Sequence, residues 1–238
     1  VDARRAEISN RFIIVIGIAA VLAVLAVPAW FAIYPRLSKM FSEEEKLKTV
    51  FEDNFDGVKL GSEWTTWGDI AFSNHPAFPG NSSLFLKGRG GGFMSGGVNR
   101  LLEAKPPLVI ECDVYNCAGA FDPRAHQLRG GLFLFETGRG PWGIGLFDFH
   151  ADNFLHIAAD EKTAFVWKPD KRYRVRVNFE TTGNNYTVEV RIEGAVYKSK
   201  PNPLPQWAKD WKAVNLGIHS GHGTAVFDNL RVSKPAKP

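Results

Sequence analysis

Two short runs of imidazole and carboxylate stand out. His150, Asp152 and His156 lie close together in the chain, and His219 and His222 form an H-x-x-H pair. Strong zinc signals combine such residues with cysteine at fixed spacing, or place them one turn apart on a helix. Neither condition holds: Gly221 and Gly223 flank His222 and make that pair a loop. Zinc is therefore not expected. A second chemistry is sugar binding, which needs exposed aromatic faces beside amide or acid groups. Trp67, Trp142, Trp207 and Trp211 are the candidate platform or partner surface, with Asn74, His75 and Asn81 in loops nearby. Most tryptophans in such a chain pack in the core, so only some can serve. The glycine run at 88–92 lacks the Gly-Lys-Ser/Thr ending and the following helix of a phosphate loop, and reads as a strand connection or bulge.

These residues sit in a 238-residue chain that is 45% hydrophobic and 23% charged. That length holds one globular domain plus an anchor. Twenty-three glycines, fourteen prolines, eighteen phenylalanines and seven tryptophans indicate many turns around an aromatic core, which favours an all-β sandwich over a helical bundle. The net charge of +4 is modest, and no Lys/Arg block would track a phosphate backbone, which argues against nucleic-acid binding. Four residues separate the two cysteines. Cys112 and Cys117 form a disulfide only if a tight turn brings their Cα atoms within about 7 Å. Otherwise Cys112 is a small buried strand residue and Cys117 starts a loop.

From Phe12 to Tyr34 there is no charged side chain. As a helix this stretch covers about 33 Å, the thickness of a hydrocarbon layer. Trp30 and Tyr34 mark a membrane interface, Pro28 a kink, and Gly17, Ala19, Ala23 and Ala26 a small-residue face for a neighbouring helix. A cleaved signal peptide would have a shorter apolar region. Arg4, Arg5 and Arg11 outnumber Arg36 and Lys39 across the span, which predicts a cytoplasmic N-terminus and a periplasmic or extracellular domain. The expected organisation is a tail at 1–11, a transmembrane helix at 12–34, a short, partly helical tether at 35–50 and a domain at 51–238. Ser42 and Glu45 supply a capping box for the tether.

Within the domain, period-two alternation predicts strands. Tyr173, Val175, Val177 and Phe179 alternate with polar residues. After TTGNN, so do Tyr186, Val188, Val190 and Ile192, which makes a hairpin. Leu108, Ile110, Cys112 and Val114 form another set, as do Val214, Leu216 and Ile218. Residues 132–136 and 144–149 read as strands buried on both sides or lying under a loop. The only helix expected is a short turn near Gln206–Lys212.

The opening FEDNFDG, then LGSEW, and the closing AVFDNLRVSK resemble the two ends of concanavalin A-like jelly-roll domains, the laminin-G-like, lectin and glucanase group. A run of Trp64, Gly68, Leu86 and Gly88 matches the W…G…L…G that follows the opening in that group. The resemblance covers about residues 50–236. It implies an antiparallel two-sheet jelly-roll sandwich whose first and last strands pair. Glucanases of the group carry Glu-x-Asp-x-Glu on one strand. Here Glu111 and Asp113 match but the second glutamate is missing, so a glycosidase of that type is not expected and the pair reads as a solvated strand face. The resemblance also implies a structural calcium ion where first and last strands meet, held by Asp53, Asp56 and Asp228.

The function expected from sequence is a non-catalytic accessory or scaffold subunit. It would be anchored in the inner membrane and docked on a larger complex of membrane-protein subunits, with a bioenergetic assembly as one host. The alternatives are a membrane-anchored lectin-like module that binds glycan, and a jelly-roll hydrolase with an atypical acid pair built on Asp113.

Overall fold

The computed structural model describes residues 47–57, 59–74, 77–78, 82–89, 96–117, 128–136, 143–158 and 160–236. The membrane-span reading, with Gly17, Ala19, Ala23, Ala26, Trp30 and Tyr34, lies outside them. Among the described residues no helix is long and apolar enough to cross a membrane.

The alternating segments become strands in two antiparallel sheets. The nine-stranded sheet holds β1 (Leu47–Asp53), β3 (Asp69–Asn74), β4 (Ser82–Arg89), β6 (Leu108–Cys117), β11 (Arg172–Thr182), β12 (Asn185–Ile192), β13 (Ala195–Lys198), β14 (Asn202–Pro203) and β16 (His222–Pro235). Its main path runs β13-β12-β11-β6-β16-β4-β3, with β1 beside β16 and β14 beside β12. The seven-stranded sheet holds β2 (Trp64–Trp67), β5 (Gly96–Leu102), β7 (Leu128–Phe135), β8 (Gly143–His150), β9 (Phe154–Ile157), β10 (Glu161–Val166) and β15 (Val214–Ser220). Its order is β10-β9-β8-β7-β15-β5-β2. The one helical turn described is Gln206–Ala208, within the segment where a turn is expected.

The β11–β12 hairpin closes between Thr182 and Asn185, with Gly183 at φ 59° as the first of two turn residues. A glycine there lets the turn twist with its strands. Its apolar set and those of β6 and β15 meet between the sheets in one core, where Val175, Val177, Phe179, Val188, Ile110 and Leu216 are fully buried. Each such side chain contributes about 1.5–3 kcal/mol on burial.

First and last strands pair as the resemblance implies, with Asp53 opposite Leu230. The pairing starts earlier than expected. Leu47–Thr49, read as the end of the tether, lie opposite Ser233–Pro235, because β16 runs on to Pro235 and offers its edge there. Trp64 ties the layers together: its indole N–H donates to Asp53 Oδ2 at 2.8 Å, from the seven-stranded sheet to the nine-stranded one. Gly68, at φ 69°, is the single residue between β2 and β3, where the chain changes sheets.

Cys112 faces the core as a free thiol, and burial pushes its pKa up. Cys117 ends β6 rather than starting a loop.

Candidate functional site

The outer face of the seven-stranded sheet gathers the chemistry. Leu132 and Leu134 of β7 point into the core, so Gly131, Phe133 and Phe135 point out. On β15, Leu216 and Ile218 point in, and Asn215, Gly217 and His219 point out. On β8, Phe147 and Phe149 point in, and Asp148 and His150 point out.

Register then builds one row across the whole sheet. Trp67 pairs with Gly97, Gly97 with His219, His219 with Gly131, Gly131 with Asp148, Asp148 with His156, and His156 with Lys162. Six strand spacings make this row about 29 Å long. Large and absent side chains alternate along its first part. The missing Cβ at Gly131 is what lets His219 Nε2 come within 3.0 Å of Asp148 Oδ2, because a Cβ there would lie 2.9 Å from that same oxygen and would meet the Phe147 carbonyl. The Trp67 ring likewise covers Gly97, and the Phe133 ring covers Gly217.

Aromatic rings fill the space beside the row. Phe133 and Phe135 stack at 5.1 Å, Trp67 meets Phe133 edge-on at 6.3 Å, and Phe133 meets His219 edge-on at 5.4 Å. The floor is buried: His219 is 2% exposed and Asp148 8%. The rims are open, with Trp67 and Asn99 half-buried at one end and Lys162 exposed at the other. His219 Nδ1 is buried with no hydrogen-bond partner among the described residues. Its Nε2 sits at ion-pair distance from Asp148 Oδ2, which leaves Nδ1 as the nitrogen without a protein partner among these residues.

At the far rim the His150 and His156 rings stack 4.0 Å apart. His156 Nδ1 lies 2.7 Å from Asp160 Oδ1, and its Nε2 lies 3.3 Å from Asp152. Lys162 Nζ holds Asp152 Oδ2 at 3.0 Å. Burial works against the Asp152 charge, but the Phe154 N–H, Lys162 and His156 outweigh it and hold the carboxyl well below the usual range.

The other expected site residues fall elsewhere. Trp211 is in the core at 7% exposure, stacked on Phe179, and Trp207 stacks on Trp211, so neither makes a platform with Trp67. Trp142, His75 and Asn81 lie outside the described residues, and Asn74 and His222 are described by backbone alone. Glu111 and Asp113 lie on the outer face of the nine-stranded sheet. Asp113 is not solvated there. It is 3% exposed and accepts from Arg172 Nη2 at 2.7 Å and Asn229 Nδ2 at 2.8 Å, with Arg174 at 3.4 Å. All three donors converge on Oδ2, which pins the carboxylate against the sheet. Both Asp53 oxygens are taken by protein donors, the Phe55 N–H and the Trp64 indole. Asp228 accepts the Asn229 N–H and feels the charge of Asp56.

Sequence reasoning reached His150, Asp152, His156, His219 and Trp67, but not Asp148, Asp160, Phe133 or Phe135. A usable signal existed: glycines at 97, 131 and 217 inside strand patterns mark close approach of other groups.

No family model matches the chain, and no curated protein matches it. Solved structures do. An alginate lyase from Aplysia kurodai superposes with a TM-score of 0.56 at 13% identity, over 79% of this chain and 100% of that one. An endo-1,3-β-glucanase from Streptomyces sioyaensis gives 0.51 at 13% identity, over 79% and 96%. Peanut lectin gives 0.51 at 12% identity, over 79% and 99%. At these identities the likeness concerns the backbone, and it shows that the described residues adopt the concanavalin A-like β-sandwich fold found in lectins and in carbohydrate-active enzymes.

Proposed function

We propose that the domain binds a linear polysaccharide across the outer face of the seven-stranded sheet. The row from Trp67 to Lys162 carries this reading. It crosses the strands, so a chain laid along it meets one strand after another, and its length of about 29 Å suits a polymer better than a single sugar. Trp67 stacks on a sugar ring and the Asn99 amide takes hydroxyls at one rim. The buried His219–Asp148 pair offers a polar contact at the floor, where low polarity strengthens a hydrogen bond. Structurally similar folds include proteins that act on or bind carbohydrate, which is consistent with this choice over a purely structural role.

Affinity electrophoresis of the full chain in mild detergent, through gels containing neutral β-glucans or anionic uronate polymers, tests it. At least one polymer retards the protein, and Trp67→Ala weakens retardation about tenfold, the scale of one lost ring contact. Trp207→Ala leaves it unchanged. Unretarded migration in every gel, or equal retardation of the Trp67→Ala protein, overturns the reading.

A further inference from the structure

The far rim of the sheet carries a second cluster whose chemistry differs from sugar recognition. We propose that His150, His156 and Asp160 bind a divalent transition-metal ion of the zinc or cobalt type. One ligand atom from each lies within 4.8 Å of the others, and this is the one such set of three or more among the described residues. Three local features bring it together. His150 and His156 leave adjacent strands on the same face, and their stacked rings need only turn about χ2 for their in-plane lone pairs to converge on one ion. Asp160 sits in the β9–β10 turn at φ 64°, a backbone state that aspartate tolerates better than most residues, and its carboxylate turns back onto His156. His150 Nδ1 is buried within 3.3 Å of Asp152 Oδ1 yet makes no hydrogen bond.

The donor set decides the class of ion. Two imidazoles and one carboxylate suit a borderline metal, whereas calcium and magnesium take oxygen ligands. Asp152 is not counted as a ligand, because Lys162 already holds it. It stands by His156 Nε2 instead, the position from which a carboxylate orients a coordinating histidine whose other nitrogen is on the metal. The histidines are buried and Asp160 is exposed, so the site opens to water on one side, where a solvent molecule completes four-coordination.

The full chain, stripped with chelator and titrated with Co²⁺ and Zn²⁺, should take up one ion with the intense visible absorption of four-coordinate cobalt. Asp160→Asn, an exposed turn substitution that spares the core, should weaken binding about tenfold or more, and His156→Gln should abolish it. Glu111→Gln, on the other sheet, should change nothing. Ca²⁺ should not compete. No uptake, uptake unaffected by Asp160→Asn, or displacement of cobalt by equimolar Ca²⁺ would each sink the proposal. Because the readout is the ion itself, it stands or falls independently of polysaccharide retention.

Discussion

The outer faces of the two sheets use the same residue types in opposite ways. On the nine-stranded sheet, Asp113 lies opposite Asp228 in register, and the strands around them supply Arg172, Arg174 and, through the bulge at Asp228–Arg231, Asn229. Three donors converge on Asp113 Oδ2 and hold the carboxylate in place. On the seven-stranded sheet, an imidazole approaches Asp148 over a glycine, and that imidazole keeps a buried nitrogen without a partner among the described residues. Several donors converging on one oxygen favour a structural role for Asp113, whereas a buried imidazole nitrogen with no protein hydrogen bond favours a ligand-binding role for His219.

The largest effect that would sharpen this contrast is Asp113→Ala. It leaves two guanidinium groups and the Asn229 amide facing an apolar stub, and it should cost about 3 kcal/mol in urea unfolding. Polysaccharide retention measured well below the unfolding midpoint should be unchanged. A variant that folds normally but no longer binds would reverse the assignment of the two faces.

Gly131→Ala probes the other side. The added methyl would meet the Phe147 carbonyl and crowd Asp148 Oδ2, so it should cost about 2 kcal/mol. Unlike Asp113→Ala, it should also reduce retention in the affinity gel at temperatures where it stays folded, because His219 and Asp148 can no longer meet. Loss of stability with full retention would show that the row is packing alone.

How much of this was legible in the sequence follows from the same contrast. Strands and their inward faces were readable, since alternation is a local property: Tyr173 to Phe179 and Tyr186 to Ile192 are buried as their spacing requires. The pairing of first and last strands was carried by their resemblance to a known fold. What could not be read was which strands become neighbours. The row needs β15 to insert between β5 and β7, strands far from it in the chain, so His219 and Asp148 gave no sign of meeting. Trp211 illustrates the reverse error. Its setting among polar residues in PLPQWAKDW suggested a surface, but the segment folds back so that the ring stacks on Phe179. Exposure of a tryptophan is a tertiary property, and spacing does not report it.

The smallest expected effect concerns a carboxyl on the nine-stranded face that burial leaves poorly served. Burial pushes the Asp228 carboxyl up; the Asn229 N–H works against this, and the charges of Asp56 and Asp113 add to it, leaving the pKa at about 6. A carboxyl with a raised folded pKa binds its proton more tightly folded than unfolded. Its contribution to stability is therefore full below about pH 4, the unfolded value, and is lost as pH rises through about 6. Asp228→Asn keeps the acceptor for the Asn229 N–H and removes the titration. The variant should match the parent in thermal unfolding near pH 4 and exceed it by about 1 kcal/mol above pH 6.5, the full shift being discounted for solvent screening near the exposed Arg172. The gain should grow between those limits and then level off. If the variant were instead destabilised at neutral pH, the Asp228 charge would be a needed partner, and the nine-stranded face would hold a cation-binding pair rather than a finished structural network.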